Sequence, residues 1–245
     1  MPFDAFNGIT QPVGSNECGA YALAAALTNF GLADLSPQAN LLNTADLTTG
    51  YNQPGHVVTN TGGAQAFATS IYPITGNLQL TPPVAPPPAT GTATYRYQAP
   101  VSDMNSPSAL VYVATLFGYA PAEIAIRYTN AGETMFNMFN VTDVGNGGTL
   151  LNTEIQLLAS ISQNLVIVGP MDYTGIPNAT HVQMVVVNNG SHWLAINNTQ
   201  LYDPATGYVG AYTLSTVGPL SFNYVMATIP HNNSFSGVWI ELDGQ

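Results

Sequence analysis

Apolar residues change their spacing along the chain, from helical stretches in the first two thirds to short strand-like runs in the last third. Residues 18–30 are rich in Ala and Leu and are followed by Gly31, which predicts a helix and its C-terminal stop. Residues 63–72 fit a second short helix. The stretch 34–62 is polar and irregular, with a short helix expected where Ser36 precedes a proline.

Three more helices and a turn are predicted in the middle of the chain. Ser106 and Pro107 form a start signal for the first of these helices, because Ser caps and Pro favours the first helical turn. Asn152 or Thr153 is expected to cap the third. The predicted helices cover residues 107–118, 122–130 and 154–163, and Gly-rich residues 145–148 predict a turn.

After residue 164 the apolar runs become short and are bounded by turn residues, which is typical of strands. Asn188, Asn189 and Gly190 predict a hairpin turn between two of them. Helices followed by an antiparallel sheet indicate an α+β chain. The predicted strands cover residues 165–170, 181–187, 192–196, 201–203, 207–214, 222–229 and 235–242.

A proline-rich stretch divides the helical part of the chain. Residues 73–100 include the run Thr81-Pro-Pro-Val-Ala-Pro-Pro-Pro88, which is typical of an extended, semi-rigid connector. We expect one domain with four consecutive parts. These are a helical lobe at 1–72, the connector at 73–100, helices at 101–164 and an antiparallel sheet at 165–245.

The composition of the chain argues against several classes of function. Hydrophobic residues make up 46% of the 245 residues and charged residues only 6%. The chain has two arginines, no lysine and a net charge of -11, so it cannot neutralise phosphates, and no nucleic-acid partner is expected. No apolar run is long enough for a membrane span, and no signal peptide is visible. We expect a cytoplasmic protein, or one exported by a route without a cleavable signal.

Cys18 is the only cysteine, which excludes an internal disulfide and a thiolate-rich metal site. Neither a metal-binding motif nor a cofactor motif is present, so no cofactor is predicted. Cys18 falls where a polar loop becomes the first predicted helix. The helix N-terminus favours an ionised thiol, which is the nucleophilic form. The alternative interpretation is a small buried hydrophobic residue.

A predicted hairpin supplies a base and its partner. If Asn197 and Asn198 form a two-residue turn, His192 lies directly opposite Asp203, with Cβ atoms about 5 Å apart. A carboxylate at that distance would orient the imidazole. The neighbouring residues Trp193 and Tyr202 would then face the opposite side of the hairpin and pack there.

A second histidine competes for the role of base. His181 also begins an apolar strand, and a fold-back at Asn188 would bring Asn197 or Asn198 beside it. His192 is preferred, because only His192 has a carboxylate partner. The remaining histidines, His56 and His231, lie in polar loops without a partner and are interpreted as surface residues.

Two short segments of the chain resemble papain-fold cysteine peptidases. Gln11 with Glu17-Cys18-Gly19, and His192-Trp193 with Asp203-Pro204, are similar to the motifs of bacteriocin-leader peptidases. Ubiquitin-like-protein proteases carry related stretches. The resemblance implies a papain-like fold, a Cys18–His192–Asp203 triad and a role for Gln11 as donor to the oxyanion. Gln11 lies seven residues before the cysteine, one more than these families usually show, and an ordinary loop glutamine is the alternative.

The expected function is therefore that of a thiol hydrolase acting on peptide or isopeptide bonds of a protein or peptide substrate. Deamidation and transglutamination use the same three residue types and stay open as alternatives. The other class of function is a binding or structural protein with a degenerate papain-like site. The Asn-, Thr- and Gly-rich second half of the chain is typical of such a binding module.

Overall fold

Helices pack against a large, mostly antiparallel sheet in the computed structural model, which describes residues 2–81, 94–98, 103–141 and 148–244. The five α-helices of this described part are α1 (Cys18–Asn29), α2 (Ala64–Thr75), α3 (Pro107–Leu116), α4 (Asn130–Met138) and α5 (Leu150–Ile161). None of the helices in these ranges is both long and apolar enough to cross a membrane.

Two small sheets accompany the helices. Strands β1 (Gln38–Leu42) and β2 (Tyr51–Val57) form an antiparallel hairpin. A three-stranded sheet joins β3 (Leu78–Thr81), β4 (Thr94–Tyr97) and β6 (Asn140–Val141), which is numbered after β5 in chain order.

The large sheet is built chiefly from the end of the chain. Its strands are β5 (Ile124–Tyr128), β7 (Ile167–Val168), β8 (His181–Val187), β9 (His192–Ile196), β10 (Leu201–Asp203), β11 (Tyr208–Gly210), β12 (Thr213–Ser215), β13 (Ser221–Met226) and β14 (Ile229–Asp243). The strand order is β11-β10-β9-β8-β14-β13-β12, with β5 pairing with both β14 and β7. The long strand β14 pairs with β13 up to Ser234 and with β5 from Val238, and a register shift between Phe235 and Trp239 interrupts its pairing with β8.

Helix α1 is the buried centre of the fold. All of its residues except Thr28 are buried, as expected for a helix that is apolar all round. It packs along β9, and its C-terminal end is fixed there by a 3.2 Å hydrogen bond from Asn197 Nδ2 to Asn29 Oδ1. Cys18 therefore lies at the end of α1 that is closest to the start of β9, where His192 stands.

The two faces of the sheet line different cores. Trp193 and Tyr202 belong to the main core on the helix side. Leu194 and Leu201 belong to a second core on the other face, together with aromatic residues of β13 and β14. Because side chains alternate along a strand, His192 shares the face of Leu194. This agrees with the expectation that Trp193 and Tyr202 pack on the opposite side.

The predicted α+β class is confirmed, and the predicted helix at 18–30 matches α1. The helix predicted for residues 122–130 is wrong, since β5 occupies Ile124–Tyr128. Buried and half-exposed residues alternate along β5, and its central place between β14 and β7 satisfies its backbone. Helix α4 starts only at the end of that segment.

The region 34–62 is also more regular than predicted, because β1 and β2 replace the short helix expected at Ser36. Long-range aromatic packing fixes this hairpin. The ring of Tyr51 stacks on Tyr112 of α3 at 4.1 Å, and the Tyr112 hydroxyl accepts a hydrogen bond from the Asn40 backbone N–H. Local sequence carries no signal for such a contact.

The connector predicted at 73–100 needs correction at both ends. Pro73 lies inside α2, and β3 pairs with β4. The remaining residues of that stretch, 82–93 and 99–100, lie outside the described residues, as do 145–147 of the predicted turn. The last predicted helix begins earlier than expected, at Leu150, and its cap is Thr149, whose hydroxyl accepts from the Asn152 N–H.

Four predicted strands have different bounds. The strand expected at 222–229 ends at Met226 in β13, and the one expected at 235–242 begins at Ile229 in β14. The strand expected at 165–170 is reduced to β7, and the one expected at 207–214 is divided into β11 and β12. Ala211 and Tyr212 separate these two short strands.

Candidate active site

The β9–β10 hairpin has a different register from the predicted one. Leu201 pairs with Ile196, so Asp203 lies across from Leu194 rather than from His192. Asn197 does not occupy the turn itself. Its Oδ1 accepts from the backbone N–H groups of Thr199 at 2.9 Å and Gln200 at 2.7 Å, which moves the turn to the two residues after it.

The register error of two residues preserves the face of the strand, because side chains alternate with a period of two. Asp203 therefore still shares a face with His192 and reaches it as a diagonal neighbour. His192 Nε2 and Asp203 Oδ1 are 2.8 Å apart. The predicted contact is present, although the predicted pairing that would have produced it is wrong.

His192 also lies near the cysteine. Cys18 is close enough to the imidazole to contribute, with Asp203, to the rise of its pKa. Because Nε2 is engaged by Asp203, Nδ1 is the nitrogen left for the sulfur. Cys18 is 5% exposed, and the His192 side chain is 11% exposed. Three of the four predicted site residues thus lie together around the His192 ring.

Asp203 is held by more than the histidine. Its Oδ1 also accepts from the Ala205 N–H at 2.8 Å, and its Oδ2 accepts from the Tyr224 hydroxyl at 2.7 Å. The Asp203 carbonyl accepts from the Gly207 N–H, which closes the turn after the strand. Sequence reasoning did not find Tyr224, because it stands on β13 and only the folding of the sheet brings it to Asp203.

The electrostatics of the pair favour an ionised state for both members. Burial lowers the pKa of His192, but hydrogen bonds and charges from Asp203 and Cys18 outweigh it and raise the pKa to about 10. Burial alone would raise the pKa of Asp203, because it disfavours the charged carboxylate. The hydrogen bonds from His192, Tyr224 and Ala205 outweigh that effect and hold the pKa below its ordinary value. Both shifts favour an ion pair of an imidazolium and a carboxylate.

Gln11 lies in the loop before α1, and this loop is attached to the Asp203 turn. The Gln11 N–H donates to the Pro204 carbonyl at 2.9 Å, and the Gly8 N–H donates to the Gly207 carbonyl at 2.8 Å. The Gln11 side-chain Nε2 donates to the Ser15 carbonyl at 3.2 Å. An amide nitrogen has two hydrogens, so one remains for a ligand. Gln11 Oε1 has no hydrogen-bond partner within the described part of the chain.

The start of α1 is clamped by Asn105, which sequence reasoning also missed. Asn105 Nδ2 donates to the Asn16 carbonyl at 2.5 Å, and Asn105 Oδ1 accepts from Thr75 at 2.7 Å. A Cβ on Gly19 would come within 2.6 Å of the Asn105 side chain. The glycine after Cys18 is therefore required by close packing, a reason that the sequence alone does not reveal.

The competing histidine has other partners. His181 Nδ1 lies 2.5 Å from Asn178 Oδ1, and its Nε2 lies 3.4 Å from Asp243. It stands at the opposite end of β8 from the turn that leads to His192. The Asn197 side chain serves the hairpin turn and Asn29, so His181 is not brought together with its proposed orienter.

The remaining histidines lie on strands rather than in loops, which corrects their assignment as surface loop residues. His56 belongs to β2, and its Nε2 is buried. His231 belongs to β14, and its ring stacks on Tyr224 at 4.6 Å. Among the described residues, no group of three or more His, Cys, Asp and Glu side chains could hold a metal ion.

Comparison of the whole chain with protein-family models, with curated proteins and with solved structures finds no match.

Proposed function

We propose that the protein is a papain-like thiol hydrolase that cleaves peptide or isopeptide bonds in a protein or peptide substrate. One observation carries the proposal: a single imidazole, that of His192, lies 2.8 Å from Asp203 Oδ1 and close enough to the only cysteine for Cys18 to raise its pKa. This is the arrangement of nucleophile, base and orienting carboxylate used in nucleophilic acyl transfer.

The chemistry would proceed in two stages. His192 holds the proton that the Cys18 thiol gives up, and the Cys18 sulfur attacks the substrate carbonyl carbon, which places the carbonyl electron pair on oxygen. Collapse of this intermediate breaks the C–N bond, and the leaving amine takes the proton from His192. Water then attacks the thioester with His192 as base, which releases a carboxylic acid and restores the thiol.

Two donors are suited to the negatively charged oxygen. Cys18 is the first residue of α1, so its backbone N–H has no acceptor within the helix. The second hydrogen on Gln11 Nε2 is the other donor, in a loop fixed to the Asp203 turn through Pro204. Preorganised donors of this kind stabilise an oxyanion without reorganisation.

A second candidate is a binding protein with a degenerate site, and the burial of Cys18 favours it. A thiol that is only 5% exposed must be reached by a substrate through local movement. In that case the hydrogen-bonded cluster would contribute to stability alone.

Thiol reactivity at acid pH distinguishes the two candidates. At pH 6 a simple thiol is almost entirely protonated, so iodoacetamide reacts slowly. If His192 holds the proton of Cys18, we expect Cys18 to be alkylated at least about tenfold faster than glutathione at pH 6. The same assay on His192→Ala should show loss of this advantage, and His181→Ala should retain it as the matched control.

Hydrolysis itself is measured by the release of new amino groups from a denatured protein substrate such as casein. We expect release by the wild-type protein and none by Cys18→Ala. Alkylation of wild-type Cys18 no faster than that of glutathione would contradict the proposal and leave the binding protein.

A further inference from the structure

The two oxygens of the Asp203 carboxylate have different hydrogen-bond donors. Within the described structure, the only donor to Oδ2 is the Tyr224 hydroxyl, 21 residues further along the chain. Oδ1 is shared by His192 and the Ala205 N–H, both from the same hairpin and turn. Oδ2 accepts from the Tyr224 hydroxyl at 2.7 Å. Asp203 is 3% exposed and Tyr224 is 4% exposed, so this bond is shielded from water.

The direction of each hydrogen bond around Tyr224 can be assigned from the number of protons. An ionised carboxylate only accepts, so the single Tyr224 hydroxyl proton points to Asp203 Oδ2. The Thr206 hydroxyl, 3.0 Å from the Tyr224 oxygen, must then donate to it. Thr206 Oγ1 in turn accepts from the Tyr208 N–H at 3.3 Å. All protons in this chain point towards Asp203.

The Tyr224 ring is fixed between two other rings. Tyr208 of β11 stacks on one side at 4.2 Å with an interplanar angle of 12°, and His231 of β14 stacks at 4.6 Å with an angle of 4°. The hydroxyl therefore cannot follow Asp203 if the carboxylate rotates. A donor held this rigidly defines where the acceptor must stand.

We propose that Tyr224 is a positioning residue of the Cys18–His192–Asp203 site, which holds the Asp203 carboxylate in the orientation in which Oδ1 accepts from His192. The role rests on the proposed thiol hydrolase function, but the contact that carries it does not. Rotation about the terminal torsion of an aspartate is soft and roughly two-fold. Without the Tyr224 hydroxyl, Oδ2 would be a buried acceptor with no donor from the described residues, and the carboxylate would lose its fixed orientation.

The test compares Tyr224→Phe with Tyr208→Phe. The first change removes the hydroxyl bound to Asp203 and keeps the stacked ring. The second removes a hydroxyl in the same stack that donates to the Ala211 carbonyl instead. The readout is the titration of the Asp203 carboxyl carbon, followed by NMR in the full chain, which requires neither substrate nor activity.

We expect the Asp203 titration to move up by about one pH unit in Tyr224→Phe, because a hydrogen bond to the charged form is lost. Tyr208→Phe should leave it in place. The rate of Cys18 alkylation should fall at the low-pH side of its pH profile, and this fall should move to higher pH together with the Asp203 titration. In an Asp203→Asn background, Tyr224→Phe should cause no further change in alkylation, since it acts through Asp203.

An Asp203 titration that is unchanged in Tyr224→Phe, or shifted equally in Tyr208→Phe, would overturn the inference. If Tyr224→Phe does not fold, the wild-type protein decides: its Tyr224 hydroxyl proton should give a slowly exchanging signal that follows the Asp203 titration. Absence of that coupling would also contradict the role. Slow alkylation of wild-type Cys18 would remove the proposed function and leave this carboxylate result intact.

Discussion

Asp203 and Glu154 are both buried carboxylates, and their pKa values are shifted in opposite directions. Glu154 of α5 is 0% exposed and accepts hydrogen bonds from the Tyr97 hydroxyl and the Ser108 N–H. Burial nevertheless raises its pKa to about 7, because these neutral donors offset only part of the desolvation. Asp203 is 3% exposed, and its pKa is lowered. The difference is the His192 imidazolium beside Asp203.

A buried carboxylate with a strongly shifted pKa does not by itself mark a functional site. Glu154 has the near-neutral pKa often associated with catalysis, yet its partners are a tyrosine and a backbone amide with no nucleophile among them. Asp203 has a low pKa and is linked through His192 to Cys18. The connection to a nucleophile, and not the size of the shift, identifies the candidate site.

The two acids also give opposite dependences of stability on pH. The folded pKa of Glu154 lies above its ordinary value of 4.5. Its unfavourable contribution to the unfolding free energy is therefore absent below pH 4.5 and fully present once the pH has risen through about 7. The folded pKa of Asp203 lies below its ordinary value of 3.8, so its favourable contribution is present above that value and is lost as pH falls through the folded pKa.

Removal of the cation should have the largest effect. His192→Ala leaves Asp203 as a buried charge without its ion-pair partner, which costs about 3–5 kcal/mol of unfolding free energy at pH 7. Asp203 would then resemble Glu154, with a raised pKa, and the loss should shrink as the carboxyl becomes protonated at lower pH. Urea unfolding at pH 7 and pH 4 measures this. His181→Ala, at a half-exposed histidine, is the control, and an equal loss in both variants would contradict the argument.

Removal of the charge from Glu154 should have the next largest effect, with the opposite sign. A shift from 4.5 to about 7 corresponds to about 3 kcal/mol at pH values well above 7. Glu154→Gln should therefore raise the unfolding free energy by up to about 3 kcal/mol at pH 9 and change it little at pH 4. Glu133→Gln on α4 is the control, and a gain that does not vary with pH would contradict this explanation.

Loss of one neutral donor should sharpen the comparison further. Tyr97→Phe removes the hydroxyl that donates to Glu154 and should raise the Glu154 pKa by about one further unit. At pH 9 the unfolding free energy should fall by about 1.5 kcal/mol, and at pH 4 the change should be smaller. Tyr95→Phe, two residues earlier on the same strand, is the control for loss of a tyrosine hydroxyl. Titration of the Glu154 carboxyl carbon by NMR gives the direct measurement.

Sequence patterns were sufficient for the parts of this molecule that depend on local spacing. The Ala- and Leu-rich segment after Cys18 formed a helix with the expected start, and the segment at His192 formed a strand with Asp203 on the same face. The exact pairing was missed because the Asn197 side chain caps the turn rather than occupying it. The contact survived, since an error of two residues keeps the face.

Features that depend on tertiary packing were out of reach of such patterns. Residues 124–128 have helix-compatible composition and become a strand because two neighbouring strands pair with them. Tyr224 and Asn105 act on Asp203 and on the start of α1 from 21 and more than 80 residues away along the chain. No hydrophobic periodicity or short motif in a single sequence links residues that are so far apart along the chain.

The smallest expected effect concerns the second bond in the chain that leads to Asp203. Thr206→Val removes the hydroxyl that donates to Tyr224 and keeps the shape of the side chain. Hydrogen bonds in series polarise one another by roughly 10–30% per bond. Tyr224 should therefore become a slightly weaker donor, and the Asp203 titration should move up by roughly a fifth of the shift in Tyr224→Phe.

The control is Thr206→Ser, which retains the hydroxyl and should leave the Asp203 titration unchanged. The measurement is the Asp203 carboxyl-carbon titration in both variants, under the same conditions as for Tyr224→Phe. A shift in Thr206→Val as large as that in Tyr224→Phe would mean that Thr206 holds the tyrosine hydroxyl in place rather than polarising it. No shift in either Thr206 variant would mean that the stacked rings of Tyr208 and His231 alone fix the donor. The graded result is expected, because Asp203 is bonded to Tyr224 directly and to Thr206 only through it.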